Sequence, residues 1–99
     1  MIIMGVYFIA EIQQIHDRES YSKYAKAAFE IVKKYGGKYH IRGGKATAYF
    51  GGWEPGRLVV VEFDSQEKLH QCFQSAEYRA IAPLRENSTT GRAIIAEGV

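Results

Sequence analysis

The sequence predicts an α+β fold of the ferredoxin-like βαββαβ type, a four-stranded antiparallel sheet with its helices on one face. Three observations carry this reading. Segments with strand-like content lie at Ile3 to Ile12, Tyr39 to Phe50, Arg57 to Phe63 and Arg92 to Glu97, each rich in β-branched and aromatic residues or alternating with a period of two. Stretches with helical spacing separate the first from the second and the third from the fourth. The strands are also apolar on both sides: Val59, Val61 and Phe63 alternate with Leu58, Val60 and Glu62, and Met4, Val6, Phe8, Ala10 and Ile12 with Ile3, Gly5, Tyr7, Ile9 and Glu11. Both sides of such strands favour burial, and two helical regions cover only one.

After the first strand, Asp17 is placed to cap a helix whose apolar positions are Tyr21, Tyr24, Ala25, Ala28, Ile31, Val32 and Tyr35, spaced at three and four residues. Gly36-Gly37 supplies its left-handed ending. Tyr39 to Arg42 and Ala46 to Phe50 read as one strand with a bulge or kink at Gly43-Gly44, and Gly51 to Gly56 as the hairpin connection. Asp64 with Glu67 forms a capping box for a helix that puts Leu69, Cys72, Phe73 and Ala76 on one stripe. Ser75 to Leu84 reads as a second helical piece, bent or ended near Pro83.

The 99 residues form one expected domain, 1–99, without repeat, linker or low-complexity segment. A chain this short buries only roughly 60 to 65% of its extended surface when alone, so the second apolar sheet face predicts a homodimer. The net charge of +2 comes from interleaved acids and bases, with no basic run to serve nucleic acid or anionic lipid. A small organic ligand or a protein partner fits better. Cys72 is the one cysteine, and the apolar N-terminal segment is too short to span a bilayer and is broken by Glu11. A cytoplasmic setting is expected.

In this reading strands one and three lie side by side at the centre and run parallel, which brings Glu11 and Glu62 to one end of the sheet. Tyr39, His40 and Arg42 are expected there from the start of strand two, His16, Asp17 and Tyr21 from the first helix, and Arg85 and Arg92 from the approach to strand four. Glu62 and Arg42 are the expected catalytic pair. A carboxylate on an apolar strand shuttles protons when its pKa is raised, or else is held in an ion pair by Arg42, Arg85 or Lys45. The planar fork of Arg42 holds a carboxylate or enolate, or else pairs with Glu62. Glu11, Tyr21, His40 and Arg85 are the expected ligand-binding residues, with His40 on the same strand face as Arg42. Trp53 and Pro55 are expected to pack against a neighbour, and Cys72 to be buried and unreactive.

His16, His40 and His70 have no metal-ligand spacing with each other or with Cys72, so neither metal nor resident cofactor is expected. The Lys/Arg-Gly-aromatic signature of an RNA-recognition module is missing from strand three. An acylphosphatase-like phosphate loop is missing after strand one, where Ile12-Gln13-Gln14-Ile15 has neither glycine nor arginine.

Tyr35-Gly36-Gly37-Lys38-Tyr39, Arg42-Gly43-Gly44, Gly52-Trp53-Glu54-Pro55-Gly56-Arg57, Glu62-Phe63, Ser75-Ala76-Glu77-Tyr78 and Pro83-Leu84-Arg85 together resemble the domain of unknown function family 1330, of the dimeric α/β barrel superfamily. Ala76 departs from the proline frequent there, at a helix start. The resemblance implies a homodimer whose two sheets face each other as a barrel. Superfamily relatives include cofactor-independent monooxygenases, muconolactone-type isomerases, haem-dependent peroxidases and proteins without known activity. Two readings follow: a cofactor-independent isomerase or oxygenase acting on a hydrophobic acid or ketone in a pocket between sheet and helices, and a non-catalytic metabolite-binding or structural dimer.

Overall fold

The computed structural model describes residues 5–99. Its elements are β1 (Val6–Ile15), α1 (Arg18–Lys34), β2 (Lys38–Arg42), β3 (Arg57–Phe63), α2 (Gln66–Phe73), α3 (Ala76–Glu86) and β4 (Thr89–Glu97). The expected α+β architecture is present, with a four-stranded antiparallel sheet in the order β2-β3-β1-β4 and three helices. The expected first residues of β1, Ile3 and Met4, lie outside the described residues.

The helices begin where side chains satisfy their free amides. Asp17, with extended backbone, accepts from the Ser20 amide at 3.2 Å, Ser65 from the Lys68 amide at 3.2 Å, and Ser75 from the Tyr78 amide at 3.1 Å. Ser65 therefore caps α2 in place of the expected Asp64, whose carboxylate instead meets the Lys68 ammonium at 3.4 Å. Gly36, at φ +89°, turns the chain out of α1. Pro83 neither ends nor breaks α3, which runs on to Glu86. A proline frees the carbonyl four residues earlier, and both Arg79 and Pro83 lie on the exposed side of the helix.

Three expectations about the strands are corrected. β1 and β3 are antiparallel, with Glu11 opposite Leu58 and Tyr7 opposite Glu62. The first helix lays β2 parallel to β1, and the hairpin then returns β3 between them in the opposite sense. Ala46 to Phe50 are outside any strand, because β3 begins only at Arg57 and offers nothing for them to pair with. The bulge sits at His40, where the register passes from Tyr39↔Val61 directly to Ile41↔Val60, and not at Gly43-Gly44.

All three helices cover one face, giving a slab of 40 × 39 × 16 Å, the thickness of a sheet and one helical layer. On that face Val6, Val32, Val61, Phe63, Leu69 and Cys72 form the packed core. Ser88, fully buried, joins the layers: its carbonyl accepts from the His16 amide at 2.6 Å while its hydroxyl donates to the Leu84 carbonyl at the end of α3. The opposite face carries Ile9, Leu58, Val60, Ile41 and Ile94, with Ile94 61% and Ile41 39% exposed.

Glu11 is the buried carboxylate of this uncovered face. It accepts from Arg92 Nε at 2.9 Å and from Trp53 Nε1 at 3.2 Å, which ties the 43–56 connection to the sheet. The Trp53 hydrogen bond, followed by that of Arg92, holds its carboxyl below the ordinary 4.5, against the effect of burial. A carboxylate depressed in the folded state stabilises above its unfolded pKa and loses that contribution as pH falls through the folded value. Between about pH 6 and about pH 3 the melting temperature of the wild type should therefore fall further than that of Glu11→Gln. Equal falls by calorimetry would show that the Trp53 and Arg92 contacts do not stabilise the ionised form.

Candidate functional site

The helix-covered face is not filled along its whole length. Beside the packed core lies a cavity of about 410 Å³, lined by residues of all four strands and all three helices. Small side chains leave the space: Ala10, Ala25, Ala28, Gly91 and Ala93 all line it, where larger residues would close a protein interior to its usual density. The remaining walls are Phe8, Ile12, Val32, Val59, Val61 and Phe73 together with Tyr21, Tyr24, Tyr39 and Tyr78.

Into this apolar and phenolic space come Arg42, Arg57 and Arg85. None of the three has a carboxylate within ion-pair distance among the described residues, and no Asp, Glu, His or Cys lines the cavity among them. Arg42 stacks 4.0 Å from the Phe29 ring centroid and reaches the Ala25 carbonyl at 3.5 Å. Arg57 donates from Nε to the Tyr21 hydroxyl at 3.0 Å and from Nη2 to the Arg42 carbonyl at 3.4 Å. Gly43, at φ +80°, passes directly under the Arg57 guanidinium, where any Cβ would collide with it. Arg85 stands 6.0 Å from the Tyr24 ring. Arg92 also reaches the lining, but Glu11 occupies its guanidinium.

Burial keeps the Tyr24 and Tyr39 phenols protonated. Tyr24 and Tyr78 share a hydroxyl to hydroxyl hydrogen bond of 2.6 Å. Burial, then the neighbouring Tyr78, raises the Tyr24 pKa far above its ordinary value, and burial pushes Tyr39 up to about 12. Cys72 lies in the core with its thiol pushed up to about 11, chiefly by burial, the environment of an unreactive thiol. Among the described residues no three His, Cys, Asp or Glu side chains come together as a metal site would require.

The expected site residues fall into two groups on opposite faces. Arg42, Tyr21 and Arg85 meet in the cavity. Glu62, His40 and Glu11 lie on the uncovered face, where His40 Nε2 meets Glu62 Oε1 at 2.8 Å and the His40 and Tyr7 rings are 5.9 Å apart. Glu11 and Glu62 also sit toward opposite ends of the sheet. The shared concavity expected for Arg42, Glu62 and Glu11 is thus corrected, and the hydrogen-bonding partner of Glu62 is His40, with none of Arg42, Arg85 and Lys45 within ion-pair distance of it. For Arg42 the bulge is the cause. Unbroken alternation would put His40 and Arg42 on one face, but the extra residue at position 40 turns Arg42 toward α1.

Arg57 and Tyr78 are not among the expected site residues, Tyr24 is expected chiefly as a helix-packing residue, and Tyr39 is expected at the charged end of the sheet without a ligand-binding role. Arg57 was legible, because it shares its strand face with Val59, Val61 and Phe63. Tyr24 lies one helical turn after Tyr21. Tyr78 carries no local signal, since only the packing of α3 against α1 brings it to Tyr24.

The fold is shared with several solved structures. A protein of unknown function from Rhodopseudomonas palustris is 15% identical, with 97% of this chain and 84% of that one aligned at a TM-score of 0.77. SnoaB, a cofactor-independent oxygenase from Streptomyces nogalater, is 10% identical over 94% of this chain and 91% of its own, at 0.65. A protein of unknown function from Bacteroides fragilis, described as dimeric and ferredoxin-like, is 13% identical over 94% and 95%, at 0.56. No curated protein matches the chain, and no helix among the described residues is long and apolar enough to cross a membrane. The strand order, the Gly-rich turns and the β2 to β3 connection belong to a chain whose residues 5–99 match the family model described as Domain of unknown function (DUF1330), and the protein belongs to that family.

Proposed function

We propose that this chain, as one domain over 1–99, forms a homodimer through its uncovered sheet face, and that each protomer binds a hydrophobic small molecule carrying an anionic group. One observation carries the ligand reading: Arg42, Arg57 and Arg85 converge on an apolar cavity without a carboxylate partner among the described residues. Guanidinium groups beside an apolar wall favour an organic acid or enolate, held by charge-assisted hydrogen bonds. The apolar walls would take the body of the ligand. A reduced, cytoplasmic setting suits the buried Cys72 thiol.

The dimer reading rests on Ile9, Ile41, Leu58, Val60 and Ile94 sharing one uncovered face. Similar folds from other organisms are described as dimeric. Obligate interfaces of this kind exceed roughly 2,000 Å² in total. Light scattering at micromolar protein should give twice the 11.2 kDa chain mass; a monomer at that concentration would contradict the reading.

A catalytic version of the same reading is favoured by the fold shared with SnoaB, described as a cofactor-independent oxygenase. In it Arg42 and Arg57 stabilise an enolate or phenolate form of the ligand. Glu62 takes no part, being on the other face, and the lining supplies no carboxylate or imidazole base among the described residues. The non-catalytic alternative needs only the binding site.

Titration calorimetry with 2-naphthoate, and with its neutral analogue 2-naphthylmethanol, tests the binding common to both versions. The acid should bind and the alcohol bind much more weakly. Arg42→Ala should weaken the acid by roughly 1.5 to 3 kcal/mol, the scale of a lost charge-assisted hydrogen bond, with lysine restoring only part. Equal affinity for acid and alcohol, or an unaffected Arg42→Ala variant, would remove the anionic group from the proposal.

A further inference from the structure

The connection 43–56 between β2 and β3 is longer than the roughly dozen residues beyond which a link without secondary structure is uncommon in a compact domain. Within it lies Ala46-Thr47-Ala48-Tyr49-Phe50, whose threonine and aromatics favour a strand. The segment has no charge, proline or glycine, the features that keep an exposed strand from pairing. Its own chain does not take it up: Tyr49 is 97% and Phe50 86% exposed. The base of the connection is nevertheless held, because Trp53 donates to Glu11 on the uncovered sheet face. Phe50 is thus kept within a few residues of the surface through which the dimer is proposed to form.

β4 offers the counterpart. It ends the sheet and pairs with β1 alone among the described residues, so its other edge is open along Thr89–Glu97. Successive strand residues point to opposite faces. Ile94, opposite Ile9, lies on the uncovered face, and Ile95, opposite Phe8, on the helical side. Both are exposed, at 61% and 41%, so the open edge is apolar on its two sides. Tyr49 and Phe50 match this arrangement, being consecutive and presenting one ring to each side once the segment is extended. Aromatic and β-branched residues are favourable cross-strand neighbours. In its own sheet β1 separates that edge from β3, where the connection ends; a second copy can bring the edge within reach.

Resting on the dimer reading above, we infer that residues 46–50 of one protomer add as a strand to the open β4 edge of the second copy, with Tyr49 and Phe50 beside Ile94 and Ile95. Twofold symmetry makes the exchange reciprocal. The added strand pairs main-chain groups that β4 otherwise turns to solvent, and its two rings cover the two isoleucines. Trp53, held by Glu11, fixes where the segment leaves the sheet.

Photocrosslinking from position 50 tests the strand addition separately from the dimer. With p-benzoylphenylalanine in place of Phe50, irradiation should give a product of twice the chain mass under denaturing conditions, and mass spectrometry should map the link to the β4 peptide containing Ile94 and Ile95. Light scattering before irradiation reports the dimer independently. In the double variant Tyr49→Ser with Phe50→Ser, sedimentation should show the dimer dissociation constant raised by roughly ten- to hundredfold, since the aromatic pairs are lost at both exchanges. Circular dichroism confirms folding, and where the double variant does not fold the crosslink alone decides. A sample that scatters as a dimer but links position 50 within its own chain, elsewhere on the second copy or not at all overturns the inference and leaves the dimer standing, as does an unchanged dissociation constant. A monomer at micromolar protein overturns the dimer reading and this inference with it.

Discussion

One extra residue in an edge strand governs the chemistry of this molecule. β2 has five residues, and the bulge at His40 divides it into a part that follows the expected alternation and a part that reverses it. Before the bulge, Tyr39 faces the helices opposite Val61. After it, Ile41 faces away and Arg42 turns inward onto Phe29. Without the bulge the cavity would exchange its rim arginine for an isoleucine, and the uncovered face would gain a charge where it is most apolar.

The two faces consequently have different characters. The inner face holds cations and phenols around a cavity left by alanine and glycine, with the packed core of Phe63, Leu69 and Cys72 beside it. The outer face holds carboxylates already satisfied, Glu11 by Arg92 and Trp53 and Glu62 by His40. An unpaired carboxylate beside exposed Ile41 and Ile94 would carry the full cost of desolvation were that face covered, as in the proposed dimer. Arg42, Arg57 and Arg85 of the inner face have no carboxylate within ion-pair distance among the described residues, and the proposed anionic ligand would supply that charge.

Much of the fold was legible because it is written in short-range patterns. The spacing from Tyr21 to Tyr35 gave α1, Asp17 its cap, Gly36 its end, and the alternation around Val59 to Phe63 the central strand. The errors arose where the outcome depends on a partner element. Ala46 to Phe50 have strand-like content, but no opposing strand extends that far. Ser65 prevails over Asp64 as a cap because the amide that needs an acceptor is that of Lys68, three residues on. The sense of β3 relative to β1 follows from the crossover before it, which composition does not record. Arg42, Tyr21 and Arg85 were identified as polar groups of a pocket, yet the turn of Arg42 away from His40 and Glu62 hinges on a bulge without glycine or proline to announce it.

The central claim is that Arg42 points into the helical layer, and nuclear Overhauser effects from its side chain test it most directly. The account predicts cross-peaks between the Arg42 side-chain protons and the ring protons of Phe29, with the arginine methylenes shifted upfield by that ring. Cross-peaks from Arg42 to the Tyr7 ring or the Glu62 methylenes would place it on the uncovered face and contradict the account.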